Sequence, residues 1–167
     1  MISSPSDSSH DPAKSLLRHT VATVAYRGGK AVRGASPVFA NFALGDRPKT
    51  PVQILAHIGD LFDWAITLAN GAQLWKDSTP LPWDREVERF HITLRTFDER
   101  LASPTPLACA VEKLFQGPVA DALTHVGQLT MLRRLAATPM KGENYFKADI
   151  VTGRTGAEQT TPKREFD

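Results

Sequence analysis

Apolar residues recur at three- and four-residue steps along much of this chain, which is the spacing of amphipathic helices. The clearest run predicts a helix from Pro51 to Asn70, with Thr50 as the N-cap residue, proline in the first turn and Gly71 after the end. A repeat near 3.6 residues, rather than 2, assigns this segment to a helix and not to a strand. Its apolar positions are Ile54, Leu55, Ile58, Leu61, Phe62, Ala65 and Leu68.

The same spacing and similar start signals predict the other helices. Asp11-Pro12 and Thr105-Pro106 again pair a capping side chain with a proline at the first helical position. We expect Gly117-Pro118 to end the short fourth helix, residues 35–49 to form a loop, and the segment after Pro139 to lack a regular core element. The predicted helices run from about Pro12 to Arg33, Asp84 to Leu101, Pro106 to Gln116 and Pro118 to Ala137.

The pattern therefore predicts an all-α fold: a four-helix bundle with a short extra helix and an irregular C-terminal tail. No segment shows strand alternation, an internal repeat or a heptad run. We divide the chain into a flexible N-terminus at residues 1–11, a helical bundle at 12–140 and a tail at 141–167 that packs on the bundle.

Composition and charge narrow the class of protein. Hydrophobic residues make up 41% of the 167 residues and charged residues 23%, which is typical of a globular domain. The formal net charge of +2 is too small for a basic nucleic-acid surface. Cys109 is the single cysteine and has apolar neighbours, so we expect an inert core thiol and neither a disulfide framework nor a cysteine-rich zinc finger.

The sequence also predicts a cytoplasmic protein that binds no membrane. The longest wholly apolar stretch runs from Leu107 to Val111, far shorter than the roughly 20 residues of a membrane span. Arg18 and His19 interrupt the first apolar segment, so the N-terminus does not show a secretory pattern. A single cysteine fits a reducing compartment.

Common catalytic signatures are missing from the sequence. It contains no G-x-S-x-G motif of the kind that presents a serine nucleophile. Gly29-Lys30 is followed by Ala31, and Val24 stands where a phosphate-binding loop requires glycine. Candidate chemistry is therefore confined to the histidines and their acidic neighbours.

His57 and the Asp121–His125 pair are the strongest candidates. Asp121 and His125 are four residues apart on one predicted helix, so one helix would offer two ligands to one metal, as in H-E-x-x-H. Gln128, one turn further, would support that pair. His57 shares a helix face with Asp60 and Trp64. The alternatives are a hydrogen-bonded surface pair on the last helix and a core histidine near an acid on the second.

In a bundle these three side chains could meet across the core. Two imidazoles and one carboxylate on a common side of a metal would leave positions open for water or substrate. Asp121, if buried without a cation, would carry an uncompensated charge that costs several kcal/mol. A divalent metal would offset that cost.

These residues resemble those of the DinB-like superfamily, the DNA-damage-inducible proteins that include YfiT-type thiol-dependent enzymes. The resemblance covers roughly Pro51 to Ala137 and parts of the first helix. One stretch that carries it is T-P-V-Q-I-L-A-H-I-G-D at residues 50–60, together with Trp64. The other is D-A-L-T-H-V-G-Q-L at residues 121–129, followed by Leu132-Arg133-Arg134, and the run H-V-G-Q-L is its most specific part.

The resemblance implies a four-helix bundle that binds a divalent metal, often nickel or zinc, through three histidines. One histidine comes from the second helix and two from an H-x-x-x-H on the last, which by position correspond here to His57, Asp121 and His125. Aspartate thus replaces the first histidine of the pair. Being harder and negative, it shifts the metal preference toward zinc, iron or manganese, or else marks a weakened site.

Two functions of different classes remain open. The first is a metal-dependent thiol S-transferase or hydrolase that uses an activated water or thiolate, with a low-molecular-weight thiol or another small molecule as substrate. In that case Trp64 would shape the pocket and Asp60 would orient His57. The alternatives are that Trp64 is a core aromatic residue and that Asp60 faces water. The second is a non-catalytic bundle whose metal or polar cluster stabilises the fold or a dimer interface.

The resemblance also implies a homodimer. The near-balanced charge, by contrast, disfavours the DNA binding that the family's name suggests.

Overall fold

The structure, a computed structural model, describes residues 11–46 and 48–166. These residues are mostly helical, which confirms the all-α class. The predicted flexible N-terminus, except Asp11, lies outside the described residues. In chain order the helices are α1 (Pro12–Val32), α2 (Pro37–Ala40), α3 (Pro51–Ala69), α4 (Trp83–Ala102), α5 (Val111–Leu114) and α6 (Ala120–Leu135), and a π-helical turn (Phe115–Val119) lies between α5 and α6.

The cap-and-proline signals mark real helix starts. The Asp11 side chain accepts hydrogen bonds from the backbone N–H groups of Ala13 and Lys14 at the start of α1. At the start of α3, the Gln53 side chain accepts from the Thr50 N–H at 2.9 Å. The predicted loop at 35–49 contains α2, which also begins with a capping serine, Ser36, followed by proline. The loop prediction missed this repeated signal.

Two boundaries predicted around the short helix are wrong. That helix begins at Val111 instead of Pro106. The Arg100 guanidinium donates hydrogen bonds to the carbonyl oxygens of Thr105 and Pro106, which in a helix would accept from backbone N–H groups. Gly117-Pro118 does not end the helix either, because the chain passes through the π turn directly into α6. Pro118 cannot donate a backbone hydrogen bond, and a π turn is one of the places where a helix accommodates such a defect.

The core lies between the four long helices. α3 packs along α4, α4 against α1, α1 against α6, and α6 against α3. α1 and α4 approach closely at Gly28, where a Cβ atom would lie only 2.5 Å from the ring of Phe90. The largest fully buried side chains are aromatic and aliphatic: Phe62, Phe90, Phe97, Leu55, Ile58, Leu94, Leu101, Leu114 and Leu129.

α3 is long and apolar enough to cross a membrane, alone in this respect among the helices that the structure describes. However, 56% of its most apolar window is buried inside the protein. A central core helix has the same character, since it is apolar on most of its surface.

The residues after α6 attach to α1 and α4. Gly142–Glu143 pairs antiparallel with Glu165–Phe166, a short pairing that the sequence pattern did not predict. Glu143 accepts hydrogen bonds from the Tyr26 hydroxyl and the Lys30 ammonium, each at 2.7 Å. The tail is thus connected to α1 by a buried charge cluster.

Candidate metal centre

His57 on α3 and Asp121 and His125 on α6 lie together on one side of the helical structure. Each offers one ligand atom, and these atoms all lie within 4.8 Å of one another. The Nε2 atom of His57 is 3.8 Å from Oδ2 of Asp121, and the Nε2 atom of His125 is 3.4 Å from Oδ1 of the same carboxylate. This group could hold a metal ion.

The packing of α6 on α3 explains the convergence. Ala122, Val126 and Leu129 are buried and seat α6 on the core. Asp121 and His125 are therefore held at the edge of the α3–α6 contact, where both face His57. The side chains are not fully enclosed: the exposed fraction is 14% for His125, 23% for His57 and 47% for Asp121.

Neighbouring groups on α6 hold two of the three ligands. The Gln128 Oε1 atom lies 2.8 Å from Nδ1 of His125. Because an amide oxygen only accepts hydrogen bonds, this contact favours a proton on Nδ1, so the ring would offer Nε2 to a metal ion. The Thr124 hydroxyl donates to the Asp121 backbone carbonyl at 2.7 Å and contacts Oδ1 at 3.3 Å. The orientation of both ligands is thus supported locally.

The distances fit a metal ion. Zinc–ligand bonds of about 2.0–2.2 Å place the ligands of one ion roughly 3–3.5 Å apart. The measured distances, 3.4 Å from His125 to Oδ1 and 3.8 Å from His57 to Oδ2, end on different oxygens of the Asp121 carboxylate and are near that spacing. Both are long for hydrogen bonds between the same atoms. Two imidazoles and one carboxylate are a donor set that zinc and neighbouring transition metals accept.

His57 is in the protonation state that a ligand needs. Burial lowers the pKa of its imidazole below the ordinary value, the nearby His125 and Lys49 lower it further, and Asp121 and Asp60 oppose the shift. A lowered pKa keeps the ring neutral at neutral pH, and only a neutral imidazole nitrogen has a lone pair to give to a metal.

Asp60 does not orient His57, contrary to the prediction. It lies on α3 one turn from His57, but its buried carboxylate accepts hydrogen bonds from the Arg89 guanidinium and from the Ser78 backbone N–H. Between Asp60 and His57 there is no hydrogen bond in the described structure. Asp60 instead anchors the segment of residues 71–82 that connects α3 with α4, and Arg89 also donates to the Ser78 hydroxyl at 2.9 Å.

Trp75 lies in that connecting segment, and its contact with the site was not predicted from the sequence. Its ring meets the His57 ring edge to face, with centroids 5.6 Å apart, and meets the Trp64 ring in the same way at 5.8 Å. The segment has no helical period, so no pattern pointed to this residue. His57 is therefore packed between Trp75 and the ring of His125, which lies 4.7 Å away.

A shallow cavity of about 410 Å³, widely open to solvent, lies beside Asp121. Trp64 lines this cavity and also packs against the hydrophobic core. The lining residues are Leu61, Trp64, Gln116, Gly117, Ala120, Asp121 and Thr124. Because Asp121 belongs both to the ligand group and to this wall, a small molecule in the cavity would lie next to a bound ion.

No family model matches this chain, and no curated protein or solved structure matches it. The resemblance to the DinB-like superfamily accordingly stays a prediction. What the protein does has to be inferred from the geometry of the His57, Asp121 and His125 group and of the cavity beside it.

Proposed function

We propose that this protein is a DinB-like four-helix bundle that binds one divalent transition metal ion through His57, Asp121 and His125. The observation that carries the proposal is the convergence of three ligand atoms from two helices within 4.8 Å of one another. The residues that support them agree with it, since Gln128 favours the His125 tautomer with the proton on Nδ1 and burial keeps His57 neutral.

Zinc and nickel are the metals that this group suits best, and iron and manganese are the alternatives. Imidazole suits zinc, nickel and iron, whereas a carboxylate also suits manganese. The single carboxylate makes the site harder than one with three imidazoles, which lowers its preference for nickel relative to zinc.

The openness of the site supports a catalytic function over a purely structural one. Structural zinc sites are closed by four protein ligands, while catalytic sites have three and keep a position free. Here three residues form the group, and Asp121 is half exposed beside a cavity. A bound ion would lower the pKa of a coordinated water or thiol and so supply a nucleophile at neutral pH.

We propose that the reaction is a transfer involving a low-molecular-weight thiol, or a hydrolysis. The protein's own residues would orient the ligands and limit the access of water. Thr124 lies 3.3 Å from the Asp121 carboxylate, and Gln128 holds the His125 ring. Trp75, which is itself packed against Trp64, packs against the His57 ring.

The second candidate is a non-catalytic protein in which the metal links α3 to α6 and the bundle dimerises. The observation that favours it is an apolar groove between α1 and α5, along which Leu16 is 68% and Phe115 is 47% exposed. An exposed apolar area of this kind is typical of a protein–protein contact. Light scattering should then give twice the mass of the chain.

Metal titration into chelator-stripped protein tests the proposal. We expect one zinc or nickel ion per chain and a higher melting temperature on binding. Asp121→Ala should lose most of the bound metal while its circular dichroism stays helical. Glu99→Ala, which removes an exposed carboxylate from α4, should bind like the wild type.

A panel of small thiols and ester substrates, assayed with the metal-loaded protein, then separates the two candidates. Turnover that Asp121→Ala abolishes supports the enzyme. Stabilisation by the metal without any turnover supports the structural alternative, and the absence of stoichiometric binding would contradict both.

A further inference from the structure

The walls of the cavity beside Asp121 indicate which substrates the proposed metal site accepts. This inference rests on the proposed function and extends it to the class of substrate. The volume of about 410 Å³ lies within the range of sites for small organic molecules, roughly 300–1,000 Å³. Its volume is therefore large enough for a substrate that carries an aromatic ring.

The lining is uncharged apart from Asp121 itself. The remaining lining residues are apolar, aromatic or neutral and polar, and none of them is lysine or arginine. Proteins bind phosphate, sulfonate and carboxylate groups with arginine, lysine or backbone N–H groups. A substrate whose body is anionic would find no cationic side chain on this wall and would lie beside the Asp121 carboxylate.

Trp64 supplies a fixed aromatic wall. Its ring is held by Trp75, with interplanar angle 90° and centroids 5.8 Å apart. Gly117 leaves room beside this ring, since a Cβ atom added there would lie 3.8 Å from it, an ordinary contact distance. A ring that is already immobilised loses little conformational entropy when a ligand packs on it. Gln116 and Thr124 are the neutral polar groups available to orient that ligand.

We infer that the metal site takes substrates with an uncharged aromatic or flat apolar body, which packs on Trp64 while the reacting group points to His57, Asp121 and His125. Asp121 belongs both to the proposed ligand group and to the cavity lining, so one molecule can contact Trp64 and the proposed metal site together.

Hydroxamates test this substrate class, because they bind active-site metals through a constant group and differ only in their body. Calorimetry with the zinc-loaded protein should give about tenfold tighter binding for benzohydroxamate than for acetohydroxamate, the size of effect that one aromatic contact supplies. 4-Carboxybenzohydroxamate, whose body is anionic, should bind more weakly than benzohydroxamate.

Variants of the cavity-lining residues test whether Trp64 causes the preference for benzohydroxamate over acetohydroxamate. Trp64→Leu should reduce the preference for benzohydroxamate over acetohydroxamate to less than about threefold. Trp83→Phe, which alters a tryptophan packed on Phe39 in the core, is the matched control and should keep the preference. Gly117→Val narrows the cavity next to Trp64 and serves as a second variant, which should exclude benzohydroxamate only.

The outcomes keep this inference separate from the proposed function. Binding of zinc, nickel, iron and manganese is measured first, and a wild-type protein that binds none of them contradicts both. If zinc binds but the hydroxamates have equal affinities, or if the preference survives both Trp64→Leu and Gly117→Val, the substrate class is wrong while the metal site stands.

Discussion

Gln128 and His125 are one turn apart on α6, and the Gln128 side-chain oxygen accepts a hydrogen bond from Nδ1 of His125 at 2.8 Å. This contact leaves Nε2 of the imidazole directed at the Asp121 carboxylate, 3.4 Å away. A residue outside the proposed ligand group therefore favours Nε2 as the His125 nitrogen that would face a metal ion.

Replacement of Gln128 should weaken the metal site without unfolding the protein. In Gln128→Leu the His125 ring loses its acceptor, and we expect zinc affinity to fall about 10–100-fold, as it does when such outer partners are removed. Competition with a chromophoric chelator measures the affinity. Met131→Ala removes an exposed side chain from the same helix and should leave it unchanged. Equal affinities for Gln128→Leu and the wild type would contradict this role.

Two glycine-to-alanine changes should have opposite effects on stability. Gly28→Ala places a methyl group 2.5 Å from the buried Phe90 ring, and we expect it to lower the free energy of unfolding by about 1–3 kcal/mol. Gly127→Ala on α6 meets no atom within 4 Å and should raise that free energy by about 0.5–1 kcal/mol through helix propensity. Urea unfolding of both variants checks the pair, and destabilisation by both would mean that α6 is constrained at Gly127.

The sequence predicted the helices best where a local chemical signal fixes their start. Asp11-Pro12 and Thr50-Pro51 mark α1 and α3, because a capping side chain and a proline act within one turn. It failed at the π turn and at Pro106. There the conformation depends on Arg100 and on the join to α6, which a local pattern does not contain.

In the candidate site, too, local features were predicted from the sequence and some contacts between distant segments were not. The Asp121–His125 spacing is a local feature, and the sequence identified it, together with His57 as the partner from another helix. The role of Asp60 was wrong because its partner, Arg89, comes from α4. Trp75 was missed because only the folded connection brings it to His57. Contacts between distant segments decide both cases.

His91 should make the protein less stable in mild acid. Burial lowers the pKa of its imidazole, the hydrogen bond with the Thr155 carbonyl opposes the shift, and Arg33 and Arg95 add to it. Because the folded pKa lies below the unfolded value of about 6.5, the contribution of His91 is complete above that pH and is lost as the pH falls below it. We expect His91→Asn to lose less stability than the wild type between pH 7.5 and pH 5.5.

Urea unfolding of both proteins at the two pH values, in the presence of a chelator, measures this difference. The chelator removes any contribution from metal binding to His57 and His125. Parallel losses of stability in the wild type and His91→Asn would show that the tail contact at Thr155 does not depend on the charge of His91.

The buried cluster that joins the tail to α1 should depend strongly on Lys30. Its ammonium contacts Glu143 at 2.7 Å and Glu165 at 2.6 Å, and the Glu143 side chain is fully buried. Among the contacts of the described residues, Lys30→Met leaves the buried Glu143 charge the Tyr26 hydroxyl but not its ammonium partner, so we expect a loss of about 3–5 kcal/mol. Glu165→Ala, which removes the exposed partner, should cost much less than Lys30→Met. Thermal and urea unfolding rank the two variants, and similar losses in both would contradict a buried charge on Glu143 as the cause.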